Sequence, residues 1–106
     1  MDTNLENLSA EVDNTIQSLA AQFVDGNRVR VKVELAENHS RPNLMLILND
    51  AEDRELTHSI IMGSVDRNVE FTLHVRIQDP PLPLTFSCVS YIEEDVPLDT
   101  KNTTVQ

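Results

Sequence analysis

The side chains of this chain that could do chemistry are few and scattered. Nucleophilic catalysis needs an activated Ser or Cys, a base within hydrogen-bond reach and a third group that orients the base. The single cysteine, Cys88, falls in an alternating segment on the same side as Phe86, where a thiol behaves as a small hydrophobe. No G-x-S-x-G, phosphate-loop or dinucleotide fingerprint occurs, and two glycines cannot furnish such loops. In a hairpin closing at residues 63–68, His58 would approach Leu73 and His74. The alternation puts the two imidazoles on opposite faces, so no shared metal is expected from them; His39 stands apart. The reading is a non-enzyme, with no catalytic residues and no cofactor.

Hard-cation binding is the one metal chemistry the sequence suggests. Calcium takes about six to eight oxygen ligands, and the run Asp50-Ala51-Glu52-Asp53-Arg54-Glu55 concentrates carboxylates in a loop. As an EF-hand starting at Asp50 it fails, with Glu55 where glycine belongs and Ile61 where the closing glutamate belongs. Asp50, Glu52 and Asp53 are the candidate metal ligands, with Glu93-Glu94-Asp95 as contributors if the fold brings that run to the same end. Set against this is an acidic hairpin tip that is simply solvated.

Charge frames both readings. The 106 residues carry a net charge of −10, which argues against nucleic acid or an anionic membrane as partner. Residues 1–27 hold five acids and no Lys or Arg, residues 28–90 nine acids against seven bases, and residues 91–106 four acids against Lys101. Acidic ends of this kind keep a small protein apart from its copies, or dock on a basic partner. Arg28, Arg30 and Lys32 lie on one strand face without interleaved aromatics and are expected to pair within the protein, with Glu70 among the candidates. The longest apolar run, Leu44 to Leu48, is too short to cross a membrane as a helix. Met1-Asp2-Thr3-Asn4 shows no basic start to a secretory signal, and one cysteine cannot bridge within the chain. A cytoplasmic setting is the expectation, so the sequons at Asn38 and Asn102 read as chance.

The elements that must position these groups begin with a helix. Over residues 4–23, Leu5, Leu8, Val12, Ile16, Leu19, Ala20 and Phe23 fall on one helical stripe. Thr3 with Glu6 makes a capping box, and Asp25-Gly26-Asn27 reads as a stop with Gly26 left-handed. From residue 28 the period becomes two. Arg28–Leu35, Asn43–Asn49, Glu55–Met62, Val69–Ile77 and Leu84–Ile92 read as strands, the second apolar on both faces and therefore central. The loops 49–54 and 63–68 suit antiparallel neighbours, and Asp79-Pro80-Pro81-Leu82-Pro83 reads as a stiff link.

The expected fold is α+β or mainly β: the amphipathic helix, then about five antiparallel strands forming a small sandwich-like sheet. Residues 1–92 make one domain and residues 93–106 an acidic, flexible tail. The expected function is a small acidic interaction protein that binds another protein or pairs with itself, as in a homodimer. It would use the stripe Leu5, Leu8, Val12, Ile16 and Leu19, or a sheet edge. The alternative is a calcium- or small-ligand-binding sandwich using the acidic loop.

Overall fold

A computed structural model describes residues 12–63 and 66–105. These residues form seven β-strands and no helix: β1 (Ile16–Asp25), β2 (Arg28–Leu35), β3 (Asn43–Asn49), β4 (Glu55–Ile61), β5 (Asn68–His74), β6 (Leu84–Tyr91) and β7 (Pro97–Val105). They assemble into a three-stranded sheet, β1-β2-β5, and a four-stranded sheet, β4-β3-β6-β7, with antiparallel pairing throughout.

A strand stands at each of the five segments read from alternation, though β5 ends at His74 and not at Ile77. Two further strands, β1 and β7, raise the count to seven, and the inward residues make the core. Val29, Val31, Val33 and Leu35 on β2 and Leu73 on β5 face Leu44, Leu46 and Leu48 on β3 and Leu84, Phe86 and Cys88 on β6, all essentially inaccessible to solvent. β-Branched and leucine side chains at every second position bury one face of each sheet, and the two inner faces join in one layer. The strand order is that of an immunoglobulin-type sandwich, with β4 carried on the sheet of β3. Such an order defines a fold and leaves the function open.

Three expectations are corrected. Residues 16–25 are a strand and not the second half of an amphipathic helix: β1 pairs with β2 through Leu19↔Val33, Ala21↔Val31 and Phe23↔Val29. Gly26 does not stop a helix in a left-handed conformation. It sits in the β1–β2 turn, where its carbonyl accepts the Asp79 N–H at 3.0 Å and the Gln78 side-chain amide crowds its Cα. Residues 97–105 are not a flexible tail, since β7 runs beside β6 from Tyr91↔Pro97 to Leu84↔Val105.

The expected β4–β5 hairpin is also absent. β4 pairs with β3 and β5 with β2, so the chain crosses between sheets after Ile61, and His58 is not a neighbour of His74. The chain also crosses between the sheets at residues 36–42 and 75–83, and the latter crossing contains the proline-rich link. The β1/β7 side of the sandwich is fastened. Asp99 accepts the Ile16 N–H at 2.7 Å, and the buried Ser90 hydroxyl donates to the Asn14 carbonyl at 2.9 Å.

Candidate functional site

The acidic loop is built to turn the chain. Asp50 is almost fully buried, and its carboxylate accepts the backbone N–H groups of Glu52 (2.8 Å) and Arg54 (2.9 Å) and the Arg54 Nε–H (3.0 Å). The Arg54 backbone N–H foremost, then the Glu52 N–H and the Arg54 side chain, hold its carboxyl below the ordinary value against the opposing effect of burial. Glu52 lies 3.4 Å from Arg54, and Asp53, at φ 63°, accepts from the Asn49 side-chain amide at 3.2 Å. Asp50 therefore spends its oxygens inside the β3–β4 hairpin. Among the described residues no group of three or more His, Cys, Asp or Glu is arranged to hold a metal ion.

The other sequence candidates are separated. Leu5 and Leu8 lie outside the described residues. Val12 is exposed, Ile16 is buried at the head of β1, and Leu19 packs against the core from β1. Cys88 is inside the sandwich, and burial foremost, with the Asp99 charge, pushes its thiol up to about 12. His58 Nδ1 is 2.8 Å from Glu55 Oε2 on an exposed surface. His39 Nδ1 accepts the Arg41 N–H at 3.0 Å.

What distinguishes a surface for function is the contrast between the two outer faces. On the three-stranded sheet the outward residues are Ser18, Ala20 and Gln22 from β1, Arg28, Arg30, Lys32 and Glu34 from β2, and Asn68, Glu70, Thr72 and His74 from β5. Glu70 pairs with Lys32 at 3.2 Å and with Arg30 at 3.8 Å, and Glu34 pairs with Arg67 at 3.1 Å. This is an ordinary solvated face, and the expected internal pairing of the β2 bases is what the strands display.

The outer face of the four-stranded sheet is of another kind. Its outward positions are Glu55, His58 and Ile60 on β4, Asn43, Met45, Ile47 and Asn49 on β3, Thr85, Ser87, Val89 and Tyr91 on β6, and Thr100, Asn102 and Thr104 on β7. Apart from Glu55, which lies at the β3–β4 end of the face against His58 at 2.8 Å, none is Asp, Glu, Lys or Arg. Across its middle, the register sets Ile60 beside Met45 and Met45 beside Val89, one apolar row over three strands. Ile60 is 48% exposed and Met62, just beyond β4, 72%. β4 places Thr57, Ser59 and Ile61 inward and Glu55, His58 and Ile60 outward, so polar and apolar residues are mixed on both of its sides.

Beside the row lies a shallow groove of about 240 Å³, walled by Met45, Ile60, Val89, Tyr91, Val96 and Pro97 and bordered by Glu94 and Asp95. Interface centres are depleted in charge and enriched in Met and aromatic side chains, with a polar rim; a contiguous apolar patch on a soluble domain marks an interaction surface. The sequence signal was the apolar outer face of Asn43–Asn49, which served there only to make β3 central. The row itself needs the β4-β3-β6 register, which only the tertiary pairing supplies.

In comparison with known proteins, the chain matches no protein-family model and no curated protein sequence. No helix among the described residues is long and apolar enough to cross a membrane.

Proposed function

We propose that the protein is a non-catalytic interaction module that binds a partner protein through the outer face of its four-stranded sheet. The observation that supports this reading is the apolar Ile60–Met45–Val89 row across three strands of a face whose one strand carboxylate, Glu55, lies at its β3–β4 end. Covering an apolar surface stabilises a complex by roughly 25 cal/mol per Å² removed from water before the costs of association. Threonine, serine and asparagine around the row supply hydrogen bonds that fix orientation without the desolvation penalty of a buried charge. The core-facing residues of the same strands hold the backbone in place, so the surface is preformed. A cytoplasmic setting is part of this proposal and rests on the single, buried Cys88.

The test is site-specific photo-cross-linking in the native cell, with the cross-linker placed at position 60 and, as a control, at position 72 on the other sheet. The reading predicts a discrete adduct from position 60 alone. Adducts from position 72 alone, or equal adducts from both, would overturn it.

A further inference from the structure

Taking the outer face of the four-stranded sheet as the binding surface, we infer that its occupant is a segment of a partner protein with a large apolar side chain next to lysine or arginine. Two observations select this chemistry. The groove beside the row, at about 240 Å³, is smaller than the roughly 300–1,000 Å³ of pockets that enclose a whole drug-sized ligand, and it suits a side chain offered by a peptide. Its border is formed by Glu94 and Asp95, and among the described residues neither has an ion-pair partner. Asp25, Glu34, Asp50, Glu55 and Glu70 each lie against Arg, Lys or His, whereas among the described residues Glu94 and Asp95 share with Glu37, Asp79 and Glu93 the lack of an ion pair and differ from these three in lining the groove.

An occupant that covers the groove takes water from these two carboxylates. A neutral or acidic segment leaves them desolvated without compensation, whereas a cation at the border replaces the lost hydration. A second copy of the chain would bring another net charge of −10 and a second Glu94 and Asp95, which disfavours self-pairing on this face.

Fluorescence anisotropy with three labelled synthetic peptides tests the inference on the full chain: alternating Leu/Lys, alternating Leu/Glu and alternating Ser/Lys. The Leu/Lys peptide binds saturably, and the other two bind at least about ten-fold more weakly. The double variant Glu94→Lys/Asp95→Lys reverses the order of Leu/Lys and Leu/Glu. Ile60→Asp loses the Leu/Lys peptide although it adds a negative charge, which would strengthen any diffuse attraction to the acidic surface. Ile60→Ser gives the same loss with a milder change, and thermal melting confirms the fold of each variant.

If both position-60 variants bind the Leu/Lys peptide as tightly as wild type, the face is not the docking surface, and the proposed function falls with the inference. If they lose it but wild type takes Leu/Glu equally well, the face stands and the cationic chemistry falls. Equal binding of Ser/Lys, no saturable binding of Leu/Lys, or a dimer by light scattering that Ile60→Asp dissolves would each overturn the inference.

Discussion

Asp99 on β7 accepts the backbone N–H of Ile16, 83 positions earlier, at 2.7 Å across the two sheets. Ile16 is buried and its amide opens β1, so the carboxylate satisfies a donor that would otherwise be stranded where the strand begins. Asp99 stands opposite Ser90 in the β6–β7 register, and Ser90 holds Asn14. One pair of cross-strand neighbours therefore secures the N-terminal edge of the sandwich. Asp99→Ala is expected to destabilise the protein by about 1–3 kcal/mol, the cost of leaving a buried donor unpaired. Asp99→Asn keeps an acceptor oxygen and should cost less, as denaturant unfolding of the two variants will read.

The β3–β4 turn depends on the ionised form of Asp50. Its folded-state carboxyl lies below the ordinary value of 3.8 because the Arg54 N–H, the Glu52 N–H and the Arg54 guanidinium favour the anion. A depressed folded value means that the unfolded chain takes up the proton first as pH falls. The contribution is present above the ordinary value and is lost as pH drops through the folded one. Wild type should therefore melt higher than Asp50→Asn at neutral pH, with the gap closing below about pH 4. A gap unchanged at acidic pH would contradict this account of the turn.

Cys88 offers a check on core closure. With its thiol buried and pushed up to about 12, almost no thiolate exists at pH 8, and thiol reagents have no path to the sulfur. A disulfide-exchange reagent should leave native protein unlabelled over minutes and label it fully in guanidinium. Rapid native labelling would mean that the β6 core opens readily.

The two faces of the four-stranded sheet should respond differently to substitution. Leu46→Ala removes a fully buried side chain and is expected to cost about 2–5 kcal/mol. Ile60→Thr, on the outer face, keeps a β-branched residue and is expected to cost about 1 kcal/mol or less. Equal losses in urea unfolding would show that the outer row serves the fold and not a partner.

How legible this molecule was in its sequence depends on where each strand sits. β2 and β6 alternate because one face of each is sealed in the core, and a two-residue period follows from that burial. β3 is apolar on both faces, and only its pairing tells the inward Leu44, Leu46 and Leu48 from the outward Met45 and Ile47. β1 was misleading for a specific reason. A register shift between Ile16 and Ser18 brings Ile16 and Leu19 both inward, and an i, i+3 spacing of apolar residues imitates a helix. Ala20, Ala21 and Gln22, good helix formers, reinforced the illusion. Pairing with the open edge of β2 decides the matter, a tertiary effect that overrides local propensity. β7 was invisible because it is an edge strand whose inward positions include Asp99, Lys101 and Thr103, leaving no apolar alternation to read. The acidic loop was legible as a cluster but not as a turn, since the Asp50–Arg54 bonding cannot be inferred from composition. The apolar row required the pairing of three strands to become visible at all.

The most direct measurement of the central claim is methyl NMR of the Met, Ile, Leu and Val side chains during titration with the partner segment recovered by cross-linking at position 60. The shifts should move at Met45, Ile47, Ile60 and Val89 and stay still at Leu19 and Val69 on the other sheet. Movement concentrated on the three-stranded sheet, with the Ile60 and Val89 methyls unmoved at saturation, would contradict it.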